Sequence, residues 1–229
     1  MPAVESGADK ANGNQFAVKD CALIAIATGK KASTLPELRD GLQMVDPGCI
    51  YYHFWGGLLQ ARFEEREYNN DFASWARHGL HDAPLAERLA VIDPTDFHEL
   101  EALRREVVDI VEERLDESET LAWNRAVPAF EFIHSQIVVF DTHRRLDHPR
   151  ELAELVRHLS TSSIFYHFID ARRRMDGGRN DFSAWLASLD GRYTSLLERL
   201  GAIDPYFGNL AELREQIAAA FSDCFPENA

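Results

Sequence analysis

The chain carries one pattern twice, and that duplication limits its possible folds more than any other feature. Ile50-Tyr51-Tyr52-His53-Phe54 is answered by Ile164-Phe165-Tyr166-His167-Phe168. Asn70-Asp71-Phe72-Ala73-Ser74-Trp75 is answered by Asn180-Asp181-Phe182-Ser183-Ala184-Trp185, and Leu89-Ala90-Val91-Ile92-Asp93-Pro94 by Leu200-Gly201-Ala202-Ile203-Asp204-Pro205. The two histidines stand 114 residues apart and the two aspartates 110, so a spacer between these motifs is four residues shorter in the second copy. Collinear repetition of this kind predicts one structural unit built twice.

Each copy opens on an apolar segment, residues 16–27 and 130–141. The β-branched run Ile137-Val138-Val139-Phe140 favours a buried strand. The matching Leu23-Ile24-Ala25-Ile26 suits strand or buried helix, and is read here as strand. A helix follows, with Thr34 as N-cap, Glu37 at the capping-box position and Leu35, Leu38 and Leu42 on one face. Leu152, Leu155, Val156 and Leu159 repeat that stripe. Asp46-Pro47-Gly48 and Ser160-Thr161-Ser162-Ser163 then break the chain.

The Tyr-His-Phe motif is expected on a helix, and Asp71 and Asp181 as N-caps of the next one. A short helix with Leu85, Leu89 and Ile92, or Leu196, Leu197 and Leu200, stops before Asp-Pro, because the residue before proline resists helical geometry. A longer helix closes each copy, with Leu100, Leu103, Val107, Ile110, Val111 and Leu115 in the first and Leu213, Ile217 and Phe221 in the second. The fold expected is mainly α, α+β at the margin: two tandem homologous helical units, each opened by a short β-strand, packed as one body. Residues 1–15 read as a disordered tail, 16–115 as the first unit, 116–129 as a linker with an acidic hinge, and 130–225 as the second unit.

With 45% hydrophobic residues, including 14 Phe, the chain can fill a core. Its net charge of −14 argues against a nucleic-acid partner, which needs a basic footprint, and against docking on anionic lipid. The longest apolar run, residues 21–27, is far too short to span a bilayer. Cys21, Cys49 and Cys224 are widely spaced and form no metal or redox motif, so a reducing, cytoplasmic compartment is expected. No cofactor is expected either: Gly56-Gly57 lacks the flanking pattern of a phosphate loop, and Gly177-Gly178 reads as a turn.

Taken together, Tyr51-Tyr52-His53-Phe54-Trp55, Asn70-Asp71-Phe72-Ala73, Ile92-Asp93-Pro94 and Ser163-Ile164-Phe165-Tyr166-His167-Phe168-Ile169-Asp170-Ala171-Arg172 resemble an uncharacterised prokaryotic domain-of-unknown-function family, number 5752 in that series. The resemblance covers nearly all of the chain from Phe16 onward. It implies the fold unit and brings no activity, substrate or catalytic residue.

His53 with Asp71, and His167 with Asp181, are the candidate catalytic pairs, since a helix-borne imidazole oriented by a carboxylate suits acid–base work or metal binding. The competing reading is structural, the carboxylate satisfying a half-buried histidine and tying two helices together. No metal is expected: each copy offers fewer ligands than zinc requires, so His53, Asp71, His167 and Asp181 would have to converge on an axis between the copies. Lys30-Lys31 and Arg144-Arg145, each after Thr, are candidate anion-binding residues, as is Arg172-Arg173-Arg174. Pairing with the surplus acids competes with that role.

The leading function is a non-enzymatic interaction or regulatory protein. It would bind a protein partner, or self-associate, through exposed aromatics near Tyr51, Trp55 and Trp123. The apolar stretch Trp55-Gly56-Gly57-Leu58-Leu59 contrasts with a water-loving surface at Asp170, Arg172, Arg173 and Arg174. The alternative is an enzyme for a small molecule or anion, using the His/Asp pairs and the basic residues.

Overall fold

Two long strands pair with each other along their length. In the computed structural model, which describes residues 15–60, 67–189, 191–206 and 208–226, β1 (Phe16–Ala32) and β2 (Phe130–Leu146) form an antiparallel two-stranded ribbon. The expectation of short strands is corrected, since each runs 17 residues. The Thr-x-basic-basic segments that follow the apolar runs do not end the ladder; they carry it through a bulge.

Thr28 Oγ1 donates to the Phe132 carbonyl at 2.6 Å and accepts the Lys30 N–H at 3.1 Å. Thr142 Oγ1 likewise donates to the Val18 carbonyl at 2.5 Å and accepts the Arg144 N–H at 3.3 Å. The residue after each threonine is left-handed, Gly29 at φ +75° and His143 at φ +59°. Gly29→Val is therefore expected to cost about 1–2 kcal/mol and His143→Gly to be near neutral, because histidine tolerates this region and a β-branched residue does not. Urea denaturation checks both.

Leu23 lies directly opposite Ile137, its own match 114 residues later, so the ladder runs outward alike from that pair. Helices follow each strand. After β1 come α1 (Leu35–Met44), α2 (Pro47–Trp55), α3 (Asp71–His78), α4 (Ala83–Ala90) and α5 (Leu100–Asp116). After β2 come α6 (Pro149–Leu155), α7 (Thr161–Ile164), a π-helical segment (Phe165–Asp170), α8 (Ala171–Arg174), α9 (Asp181–Ala187), α10 (Thr194–Gly201) and α11 (Leu210–Cys224). The fold is mainly α with α+β character.

Thr34 caps α1, its Oγ1 accepting from the Glu37 N–H. Asp46 and Ser160 cap α2 and α7, and Asn209 and Glu212 form the capping box of α11. The expected caps of α3 and α9 are corrected by one residue. Asn70 Oδ1 accepts from the Ala73 N–H at 2.9 Å and Asn180 Oδ1 from the Ser183 N–H at 2.8 Å. Asp71 and Asp181 become the first helical residues, and their carboxylates are left for other work.

The strands are exchanged between the halves. The Phe16 ring at the start of β1 packs on His167, Phe182 and Trp185, with centroids 4.9, 5.4 and 5.2 Å away. Phe130, at the start of β2, packs on His53, Phe72 and Trp75 at 4.6, 5.1 and 5.7 Å. Each half thus completes its apolar core with the opening residues of the other half's strand.

The segment expected as a linker is fastened along the first half. The Ala126 N–H donates to the Ser33 carbonyl, the Val127 N–H to the Gly79 carbonyl, and Trp75 Nε1 to the Pro128 carbonyl. Of the expected disordered tail, residues 1–14 lie outside the described residues, and Gln15 Nε2 donates to Asp147. Among the described residues no helix is long and apolar enough to cross a membrane.

Two surface expectations are overturned. Tyr51 and Trp55 are buried, Trp55 Nε1 donating to the Tyr206 hydroxyl at 2.7 Å, so this apolar stretch fills the protein's own core; Trp123 stays exposed. Asp170 is also buried. It accepts from the Tyr51 hydroxyl at 2.9 Å and from Arg174 Nε at 2.7 Å, which makes it a knot between the halves rather than part of a wetted face.

Candidate functional site

With Asp71 and Asp181 placed on the first turns of α3 and α9, each carboxylate meets the histidine of its own half. His53 Nδ1 lies 3.0 Å from Asp71 Oδ2, and His167 Nδ1 lies 2.8 Å from Asp181 Oδ2. The rings are 3% and 2% exposed, so both nitrogens of each need partners inside the protein. The second partner comes from the other half's strand. The Ile133 N–H donates to His53 Nε2 at 3.2 Å, and the Lys19 N–H donates to His167 Nε2 at 2.9 Å.

A backbone N–H can only donate, so Nε2 is the bare nitrogen and Nδ1 carries the proton given to the carboxylate. Both nitrogens of each ring are therefore committed. The histidine joins its own helix pair to the outward edge of a strand from the opposite half and gives that edge's N–H a partner.

The two ties lie apart. Lys19 and Ile133 are separated by eight positions along the ribbon, about 26 Å at strand rise. The four side chains do not converge, and the described residues contain no group of three or more His, Cys, Asp or Glu placed to hold a metal ion. His53→Ala is expected to cost about 2–4 kcal/mol, through the orphaned Ile133 N–H and the space left behind. His53→Gln should cost well under half as much, since its amide can accept from the strand and donate to Asp71. Denaturant midpoints of the two variants check this.

The surroundings of the ties differ. In the second half Arg174 Nη2 bonds Asp181 at 3.1 Å, and its guanidinium lies 4.0 Å from the centre of the Tyr166 ring. In the first half the residue 114 positions earlier is Gln60, whose Nε2 donates to the Tyr52 hydroxyl at 3.0 Å. An open cleft of about 330 Å³ lies there, lined among others by Tyr52, His53, Asp71, Ser74 and His78. A second cleft, between the halves and lined by Tyr51, Trp55, Thr95 and Arg172, holds about 10 Å³, room for one water.

Of the candidate anion residues, Lys30, Lys31, Arg144 and Arg145 line neither cleft, whereas Arg172 and Arg173 line the small one. Lys31 pairs with Glu131 at 2.5 Å and Arg145 with Asp141 at 2.6 Å, both at the bulges. Arg173 and Arg174 pair with Asp170, and Arg172 lies over the Phe168 ring.

The three cysteines are free thiols. Burial, with Asp20 and Asp170 nearby, pushes the Cys21 thiol up to about 12, and burial raises Cys49 and Cys224 as well. Because the thiolate is the reactive form, the folded protein is expected to label slowly with a disulfide reagent at pH 8, and the denatured chain to label fully.

Sequence reasoning singled out the His/Asp pairs but missed the strand N–H that completes each tie, since a backbone donor leaves no mark in the sequence. It also missed Asp170 as a buried group. Comparison of the copies concealed it, because the matching position is Gly56.

The chain belongs to the family described as Family of unknown function (DUF5752), matched over residues 13–222. Among solved structures it is similar to OrfY from Thermoproteus tenax, with a TM-score of 0.79 and 26% sequence identity over 94% of this chain and 97% of that one. No curated protein matches it.

Proposed function

We propose that the chain is a non-enzymatic interaction or regulatory protein, cytoplasmic, with a protein partner or a second copy of itself and neither nucleic acid nor membrane as its target. It is built from two homologous units, each packed against the opening residue of the other's strand. The observation that carries the reading is the commitment of both nitrogens of His53 and His167 to a carboxylate and a backbone N–H. A general base or a metal ligand needs a nitrogen to spare. The net charge of −14 supports the absence of a nucleic-acid or anionic-lipid partner.

An enzymatic reading keeps one support, the open cleft beside His53 and Asp71. A thermal-shift screen of phosphorylated metabolites, sugars and divalent cations separates the two. The interaction reading expects no shift that His53→Gln abolishes. A shift lost in His53→Gln with the fold intact would favour the enzyme.

A further inference from the structure

A guanidinium keeps its charge at any ordinary pH, so one drawn into a fold needs an acceptor. Arg114 and Arg174 hold carboxylates, and Arg104 and Arg214 donate to the Leu42 and Leu159 carbonyls. Arg172 is the exception. It is half-buried and lies over the Phe168 ring at 5.2 Å, yet among the described residues it makes no hydrogen bond and no ion pair. Its Nε is shut off from solvent without a partner.

Arg172 stands on the small cleft between the halves. Arg173 lines the same cleft, and the first half supplies Tyr51, Trp55, Thr95 and Phe97. Arg173 spends one N–H on a 3.4 Å contact with Asp170, and its guanidinium lies 5.3 Å from the centre of the Tyr51 ring. Tyr206, a neighbour of Arg172, accepts from Trp55 Nε1 at 2.7 Å, but its own O–H donates to nothing among the described residues. Burial holds that proton on, so the hydroxyl stays a donor. Donors thus gather at this seam without an acceptor to match them.

The carboxylates that face Arg172 do not serve. Asp93 and Asp204, one from each half, lie beyond ion-pair reach of it. Asp93 Oδ1 is taken by the N–H and hydroxyl of Thr95, and Asp204 Oδ1 by the Tyr206 N–H. Asp170 is held by Arg174 and Tyr51. These negative charges oppose a multiply charged guest, and the cleft offers about 10 Å³, room for one water-sized group.

We infer that this cleft binds a single small monovalent anion, a chloride ion or the carboxylate head of a formate-sized acid, against the guanidinium groups of Arg172 and Arg173. The inference goes beyond the interaction reading and does not depend on it, since neither histidine tie lines the cleft. An anion seated there meets a charge that burial has deprived of solvent, and it joins side chains of both halves.

Chloride NMR on the full chain at constant ionic strength reads the site directly. The chloride line should broaden with protein in a saturable manner and narrow when sodium formate is added, whereas gluconate, too large for the cleft, and sulfate should compete poorly. Arg172→Gln should weaken the binding by about tenfold or more with circular dichroism unchanged, because a hydrogen bond to a charged partner is lost. Arg173→Gln should weaken it less. Lys30→Gln, at the bulge where Lys30 reaches only the Met44 carbonyl at 3.5 Å, should leave it as it was. The melting temperature should rise as chloride replaces gluconate in the native chain and not in Arg172→Gln.

A native line with no saturable, formate-sensitive broadening overturns the proposal, whether or not Arg172→Gln folds. So does binding that Arg172→Gln keeps or Lys30→Gln removes, or a site that takes sulfate more tightly than formate. None of these results bears on the interaction reading, which the metabolite and cation screen tests separately.

Discussion

Phe130→Ala is expected to lower stability by about 3–5 kcal/mol and to loosen helices that lie far from it in the sequence. Phe130 opens the second half's strand, yet its ring sits among His53, Phe72, Trp75 and Phe132. Truncation leaves a cavity in the first half and removes an aromatic neighbour from the His53 tie. Hydrogen exchange should show lost protection in α2 and α3 before α9 and α11. Phe16→Ala should do the reverse, exposing α9 first through the loss of contacts to Phe182 and Trp185. If each strand served only its own half, the two patterns would be interchanged.

Asp170→Ala is expected to cost a similar 3–5 kcal/mol, because it strands a guanidinium whose partner lay inside the protein. The Asp170 side chain is 1% exposed and accepts from Arg174, from the more distant Arg173, and from the Tyr51 hydroxyl across the seam. Asp170→Asn keeps the Tyr51 contact and should cost less, and Tyr51→Phe about 1 kcal/mol. Denaturant midpoints order the three.

Burial and the Asp170 charge push the Tyr51 hydroxyl well above its ordinary value of 10.0. Above about pH 10 the unfolded chain gives up this proton while the folded one keeps it, so stability falls as pH rises beyond that point. Tyr51→Phe should flatten that decline.

Much of the fold could be read from residues. The leucine stripes, Thr34 and the Asp-Pro stops gave the helices, and the β-branched run at Ile137 gave a strand. The caps of α3 and α9 came out one residue late, because asparagine and aspartate are near-equal cap formers and only geometry separates Asn70 from Asp71. Strand length was hidden by the bulges: Gly29 and the basic residues after it read as an ending, whereas Thr28 bridges the gap with its hydroxyl and lets the ladder continue. The exchange of strands left no trace, because a phenylalanine at position 16 or 130 looks equally apolar whichever half it enters. The surface at Trp55 was misread for a related reason, since hydropathy does not say which side of a seam a side chain faces.

The exchanged ribbon also sets a timetable for synthesis. As the chain leaves the ribosome, all the helices of its first half emerge while the strand that covers His53 and Phe72 is still unmade. That half cannot close its core until Phe130 to Ile133 have followed, and β1 has no ladder until β2 is out. The nascent first half therefore waits with an apolar face uncovered, and the molecule closes late, both halves together, as the ladder joins residues 98 to 130 apart along the chain.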